Sequence, residues 1–198
     1  SIGMIGTVDF SAYEQRRYIQ TTDETYDRYT LNDVGISPRG IPGLGEGIVV
    51  SSSHEHDERG QTTENYKIRE KMVNKRQQKV DLVISEAFKP KIMGQGSIAL
   101  ISWGSTKCIV DEVIKELDDE RLFHIHFFWV HPLNPTHLNI CKETKTNIVI
   151  ENNVTGEFAE VLKSHDVTID HRILQSNGFS FFTDQLKEKI SNILKELR

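Results

Sequence analysis

The chain has 198 residues, a formal net charge of −5, and 37 % hydrophobic against 27 % charged residues; its mean hydropathy is −0.44. That length suffices for one sizeable core, or for one domain and a long appendage. No apolar run approaches the roughly 20 residues of a membrane span. Ser1–Phe10 lacks the basic start and apolar centre of a secretory leader, and the acidic balance argues against nucleic acid as a partner. The chain opens on Ser rather than Met, and the expectation is a fragment or processed piece of a cytoplasmic protein. Cys108 and Cys141 stand far apart, with no partner at zinc or iron–sulfur spacing. They are read as buried, reduced thiols.

In chain order, residues 1–62 carry Gly, Pro, Ser, Thr and Asp without a sustained period. Gly35, Pro38, Gly40, Pro42, Gly43, Gly45 and Gly47 break helices and strands. The apolar Ile36, Ile41, Leu44, Ile48, Val49 and Val50 argue for packing rather than free disorder, so this segment is predicted to be an irregular arm laid on another domain or subunit. Residues 63–93 are predicted to form a connecting helix that opens at Thr62 or Thr63. Its inner stripe is Ile68, Met72, Val73, Val80, Val83 and Ile84, and Pro90 ends it. The basic run 69–79 within it is interleaved with apolar and polar residues and reads as a solvated helix face.

From Gly94 to Arg198 the pattern becomes regular. Strands are predicted over Ser97–Trp103, Leu122–Val130, Asn147–Glu151 and Thr168–Leu174. Helices are predicted over Thr106–Leu117, Thr136–Lys142, Gly156–Ser164 and Phe182–Leu197. Strands that are nearly all apolar, alternating with amphipathic helices, predict an α/β fold: an open, mainly parallel sheet with helices on both faces.

Four stretches could carry chemistry. Ile101–Val110 is a strand, a turn and a helix start, and Gly104, Ser105 and Thr106 could hold an anion there or simply cap the helix. Ile148–Phe158 repeats the pattern, with Asn152, Asn153, Thr155 and Gly156 in the turn, and helix capping with an Asx turn is again the alternative. Ligands in open α/β sheets bind beyond the carboxyl ends of strands, so both turns could line one crevice if their strands are neighbours across a topological switch. His54–Glu58 packs two imidazoles and three carboxylates into five residues. It reads as a metal site, an exposed polar loop, or groups presented to a neighbouring subunit, with metal the least favoured. Pro38 stiffens the turn that presents Arg39, whose guanidinium suits a carboxylate or phosphate; a structural partner for Arg39 is the alternative. His124 and His126 share one face of a strand and read as hydrogen-bonded sheet residues.

The order of these motifs says more than any one of them. Asp33–Gly43 resembles the GISPR–IPG segment, and Glu55–Gly60 the EHDE-x-G loop, of the alpha subunit of 2-oxoacid:ferredoxin oxidoreductases. Lys71, Met72, Lys75, Arg76 and Lys79 resemble the KM–KR–K helix of that family. Ile101–Thr106 and Glu151–Gly156 match its ISWGST and E-x-N-x-TG turns. The resemblance runs from Arg28 onward and is to the carboxyl-terminal part of the subunit, in the 2-oxoglutarate-like branch. Glu157 stands where the family often has Gln, and His131–Pro135 replaces a more apolar exit.

The resemblance implies a transketolase carboxyl-terminal-like domain over 94–198. It also implies an arm, 1–62, packed on a thiamine-type domain that these residues do not include. The implied enzyme oxidatively decarboxylates a 2-oxoacid to acyl-CoA. Its thiamine diphosphate, magnesium and iron–sulfur clusters lie in the complex, so this chain alone is expected to bind none of them and not to turn over. The implied partners are the beta subunit, and ferredoxin and CoA through an oligomeric complex. Arg39, Glu55, His56, Asp57, Glu58 and Gly60 are the residues expected nearest the substrate or the subunit interface. A non-catalytic docking domain and an anion- or nucleotide-binding α/β domain are the competing readings.

Overall fold

The computed structural model describes residues 18–197. The start of the arm, and with it the reading of Ser1–Phe10, lies outside the described residues. The chain divides into two units, 1–82 and 83–198, described separately.

In the first unit β1 (Ile19–Thr22) pairs in parallel with β2 (Arg39–Gly45). The sequence reading had expected no regular structure here, because both strands are short and β2 carries three glycines and a proline. Pairing with a neighbour, rather than periodicity, makes them strands. The helix α1 runs Tyr66–Ser85 and begins later than predicted. Asn65 is the reason: its Oδ1 accepts the backbone N–H of Lys67 (2.9 Å) and Ile68 (3.4 Å), a side-chain cap that fixes where the helix starts.

The second unit is a five-stranded sheet in the order β3-β5-β4-β6-β7. Its strands are β3 (Lys91–Met93), β4 (Ile98–Trp103), β5 (Leu122–Phe127), β6 (Thr146–Glu151) and β7 (His171–Leu174). The pairs β4–β5, β4–β6 and β6–β7 are parallel, while β3 runs antiparallel along β5. The predicted mainly parallel sheet is present. The antiparallel edge strand was not anticipated, since three residues are too few to show a period. The two outer predicted strands are also shorter than expected, with β5 stopping at Phe127 and β7 starting at His171.

Side chains alternate across the sheet and define two cores. On one face Ile98, Leu100, Ile148 and Ile150 pack with Val110 and Val113 of α2 (Lys107–Leu117) and with Leu186, Ile190 and Leu194 of the last helix. On the other, Ala99, Ile101 and Val149 meet Cys141 of α3 (Asn139–Glu143) and Phe158, Ala159 and Leu162 of α4 (Glu157–Ser164). The last helix, α5, spans Thr183–Glu196. Helices therefore cover both faces. Among the described residues no helix is long and apolar enough to cross a membrane.

The topology places the functional candidates. From β4 the chain passes through α2 to β5 on one side. From β6 it passes through α4 to β7 on the other. The carboxyl ends of β4 and β6 are thus adjacent at a point where the connections diverge, the arrangement that opens a crevice.

Leu100 lies at 0 % exposure in the central strand. Replacing it with Ala should lower stability by about 3 kcal/mol, read as a lower urea midpoint at unchanged m-value.

Candidate functional site

In the first unit the glycine-rich segment and the charged loop close on α1. Lys75 is buried, at 6 % exposure. Its ammonium donates to the backbone oxygen of Tyr29 (2.6 Å) and to Ser37 Oγ, and it lies 5.8 Å from the Tyr29 ring centroid. Ser37 Oγ in turn donates to Thr30 O at 2.8 Å. Burial, aided by the charges of Lys79 and Arg28, pushes the Lys75 pKa down to about 8. Gly35, at φ +70°, sits so close over the Lys75 carbonyl that a Cβ would collide with it. Ser37, Gly35 and Lys75, drawn from two separate sequence motifs, are thus parts of one lock.

The Glu55–Gly60 loop is a second lock. Glu55 takes both terminal nitrogens of Arg76 (3.0 and 2.9 Å), with Arg69 3.7 Å away, and the Arg76 hydrogen bond holds its carboxyl below the usual range. The His56 ring lies 3.9 Å from the Tyr29 ring, and its Nδ1 donates to His54 O at 2.7 Å. Asp57 Oδ1 accepts the N–H groups of Arg59 and Gln61 (3.0 and 2.9 Å). Glu58 Oε2 accepts Leu31 N at 2.8 Å, and its carbonyl accepts Tyr29 N. Gly60, at φ +88°, leaves only 2.7 Å between a built Cβ and Val50 O, so the turn requires glycine.

His54, His56 and Glu58 do not converge. Among the described residues no three His, Cys, Asp or Glu side chains are grouped to hold a metal. Beside the loop lies a cleft floored by Leu31, Ile68 and Met72 and rimmed by Asp57, Glu58 and Lys71. Arg39 opens β2; its backbone N–H donates to Tyr18 O and the residue is exposed. The structure brings Glu55, His56, Asp57, Glu58 and Gly60 together as one loop, with Arg39 on a separate strand.

In the second unit the two turns do meet, through Trp103 and Glu151. Glu151 is buried, at 1 % exposure, and its carboxylate accepts four hydrogen bonds. They come from Trp103 Nε1 (3.2 Å), Asn153 Nδ2 (2.9 Å), Phe158 N (2.9 Å) and Ala159 N (3.0 Å). Asn153 Oδ1 accepts Gly156 N at 2.6 Å and Glu157 N at 3.4 Å. The amides at the start of α4 are therefore already engaged by the protein's own side chains, and a helix start occupied in this way has no N–H left for a ligand. Thr155 is exposed, and Gly156, at φ +71°, precedes the helix in the left-handed region.

At the other turn Gly104, Ser105 and Thr106 form one turn of 3-10 helix that leads into α2. The Thr106 hydroxyl donates back to Trp103 O (2.7 Å) rather than capping α2. Capping, the structural reading of both turns, is realised only at the second, where Glu151 and Asn153 supply it.

The pair His124 and His126 does more than fill a strand. Ser102, Asp111 and Lys107 join them in a chain of hydrogen bonds that runs from the buried strands to the partly exposed α2 residues. Sequence reasoning missed those three because Ser102 lies on β4 and Lys107 and Asp111 on α2, away from the two histidines in sequence.

No protein-family model matches the chain. It is 32 % identical, across 86 % of its length, to a 2-oxoacid:ferredoxin oxidoreductase alpha subunit of Aeropyrum pernix, and covers 28 % of that protein. It is 31 % identical, across 90 % of its length, to the corresponding subunit of Saccharolobus solfataricus, covering 29 % of it. Its fold is similar to a 2-oxoglutarate:ferredoxin oxidoreductase of Magnetococcus marinus solved with 2-oxoglutarate, coenzyme A and succinyl-CoA. That match has a TM-score of 0.69 at 22 % identity, over 85 % of this chain and 30 % of the other.

Two measurements check the site. Glu151→Ala strands two buried amides and should lower stability on the order of 3 kcal/mol, with partial recovery of the unfolding midpoint in formate or acetate. Lys75 releases its proton near pH 8 when folded and near 10.5 when unfolded. Stability should therefore rise with pH across that window, by up to about 1.4 kcal/mol per pH unit, and Lys75→Met should remove that rise in urea titrations.

The sequence matches across 86 % and 90 % of its length place the chain with the alpha subunits of the 2-oxoacid:ferredoxin oxidoreductases, and it spans less than a third of the relatives it matches.

Proposed function

We propose that this chain acts as part of a 2-oxoacid:ferredoxin oxidoreductase that decarboxylates a 2-oxoacid, passes two electrons to ferredoxin and hands the acyl group to CoA. Thiamine diphosphate, magnesium and iron–sulfur clusters belong to the assembled enzyme, with the chain alone incompetent. The carrying observation is the identity to alpha subunits of that enzyme along nearly the whole chain. The partners are the beta subunit and the remaining part of the alpha subunit, in the cytoplasm. Residues 1–62 are the arm laid on the thiamine-type domain, 63–93 the connecting helix, and 94–198 a transketolase carboxyl-terminal-like domain. The exposed Ile41, Leu44, Ile48 and Val50 of the arm support a covered surface in the assembly.

Within this reading Arg39 approaches the 2-oxoacid carboxylate, and the Glu55–Gly60 loop lies at the subunit contact. An exposed guanidinium on a strand start suits a carboxylate clamp. Arg39→Ala in the full complex should raise KM for the oxoacid about ten-fold or more with little change in kcat; unchanged constants would remove Arg39 from the site.

One observation favours a second reading. Glu55, Glu58, Ser37 and Lys75 are all engaged inside their own unit, which suits a docking and assembly role. Capture of the beta subunit by the chain, with no kinetic effect of substitutions in the loop, would select that reading. The anion- or nucleotide-binding reading is confined to Gly104, Ser105 and Thr106, because the amides at the Asn153–Gly156 turn are engaged by Asn153 and Glu151.

A further inference from the structure

On the α2 face of the sheet five side chains form a continuous chain, buried at Ser102, His124 and His126 and partly exposed at Asp111 and Lys107. Lys107 Nζ meets Asp111 Oδ2 at 2.5 Å, and Asp111 Oδ1 meets His124 Nδ1 at 2.5 Å. Ser102 Oγ lies 2.7 Å from His124 Nε2 and 2.8 Å from His126 Nδ1. Ser102, His124 and His126 are 0 %, 1 % and 2 % exposed, so no substrate reaches the serine and the chain is not a hydrolytic triad.

Elementary donor counting fixes every proton in it. Burial raises the pKa of the Asp111 carboxyl, but its bonds to Lys107 and His124 outweigh that and hold it below the usual range. A carboxylate only accepts, so His124 carries its proton on Nδ1. Burial, against the pull of Asp111, keeps His124 neutral, and its Nε2 must then accept the Ser102 hydroxyl. That uses the only hydrogen Ser102 has, so Ser102 Oγ accepts from His126 Nδ1–H. His126 Nε2 has no hydrogen-bond partner among the described residues. The groups facing His126 are Lys91 on β3, its cross-strand partner, His124 on its own strand, Ser102 on β4, Lys107 and Asp111 on α2, and the Phe128 ring at 4.9 Å.

We propose that this chain is an acid-sensitive latch that holds β5 and α2 to the carboxyl end of β4. A proton can join His126 at Nε2 without breaking any bond. A proton joining His124 at Nε2 cannot, because it leaves the Ser102 oxygen facing two N–H donors and forces its hydroxyl to turn away with no buried acceptor. The latch is thus satisfied only while His124 is neutral. Trp103, whose indole holds Glu151, is the next residue along β4, so release of Ser102 loosens the strand end on which the crevice is built.

In the unfolded chain both imidazoles take protons near pH 6.5, whereas burial and the neighbouring His124 push His126 down to about 4. The contribution of the two histidines to stability is therefore full above pH 6.5 and is lost as the pH falls toward 4. Both tryptophans of the chain, Trp103 and Trp129, lie in this unit, so their fluorescence reports its unfolding. Urea titrations of the full chain should show the folding constant falling by about 10-fold to 100-fold per pH unit in this window, one factor of ten per proton. His126→Asn keeps an N–H donor toward Ser102 but cannot titrate, and should reduce that slope by one factor of ten.

Long-range proton–nitrogen spectra of the unaltered chain at neutral pH supply a readout independent of any variant, and should give Nδ1–H tautomers for both histidines. A folding constant flat across the window, an unchanged slope in His126→Asn, or an Nε2–H tautomer at either histidine would overturn the latch.

Discussion

The carboxylate of Glu151 is the contact on which the second unit turns. It ends β6, caps α4 and receives the indole of Trp103 from β4. One residue thus satisfies orphan amides that would otherwise be stranded against the core, and it ties the two strands at the topological switch. The sheet order and the helix that leaves β6 both require the strand end and the helix start to be held at a fixed distance, and Glu151 sets it. The same choice closes the α4 start to outside anions, because the protein supplies its own.

The first unit follows a related logic with a different charge. There a buried ammonium, Lys75, gathers a backbone carbonyl and a hydroxyl from the glycine-rich segment, while Glu55 and Arg76 form a two-pronged pair near the surface. Burying an ammonium without a carboxylate beside it is unfavourable, which is why its pKa falls. The unit tolerates this because the ammonium has two close acceptors and an aromatic face. Residues that look like a catalytic signature in the sequence are, in their immediate surroundings, the fasteners of a loop that carries few hydrophobic side chains of its own.

The sheet was readable in the sequence wherever a long apolar run met a periodic helix. Ile98–Trp103 and Thr146–Glu151 lie buried almost throughout, and the stripe of α2 shows in Ile109, Val113 and Ile114. What escaped was set by contacts distant in sequence. β3 is a strand because β5 offers it an edge, and β2 is a strand because Tyr18–Thr22 lies beside it. The candidate site divided along the same line. The Glu55–Gly60 loop and the two switch turns stand out as motifs, but their partners do not: Arg76 lies 21 residues from Glu55, Lys75 38 from Ser37, and Trp103 48 from Glu151. Ser102 offers no local sign at all, since a serine in an apolar strand acquires its meaning only when β5 brings two imidazoles to it.

The two cysteines differ in a way that gives the molecule a built-in handle. Cys141 is sealed in the core on the inner face of α3, with burial pushing its thiol up to about 12, so it is inert toward alkylating reagents. Cys108, expected from the sequence to be buried like Cys141, is instead exposed in the first turn of α2, two residues past the Gly104–Thr106 turn, because it falls on the outer face of the helix. A maleimide dye will therefore attach at one place without any engineering. That place is the solvent-facing first turn of α2, next to the turn that leaves β4, so the dye's emission would report on the surroundings of that helix start.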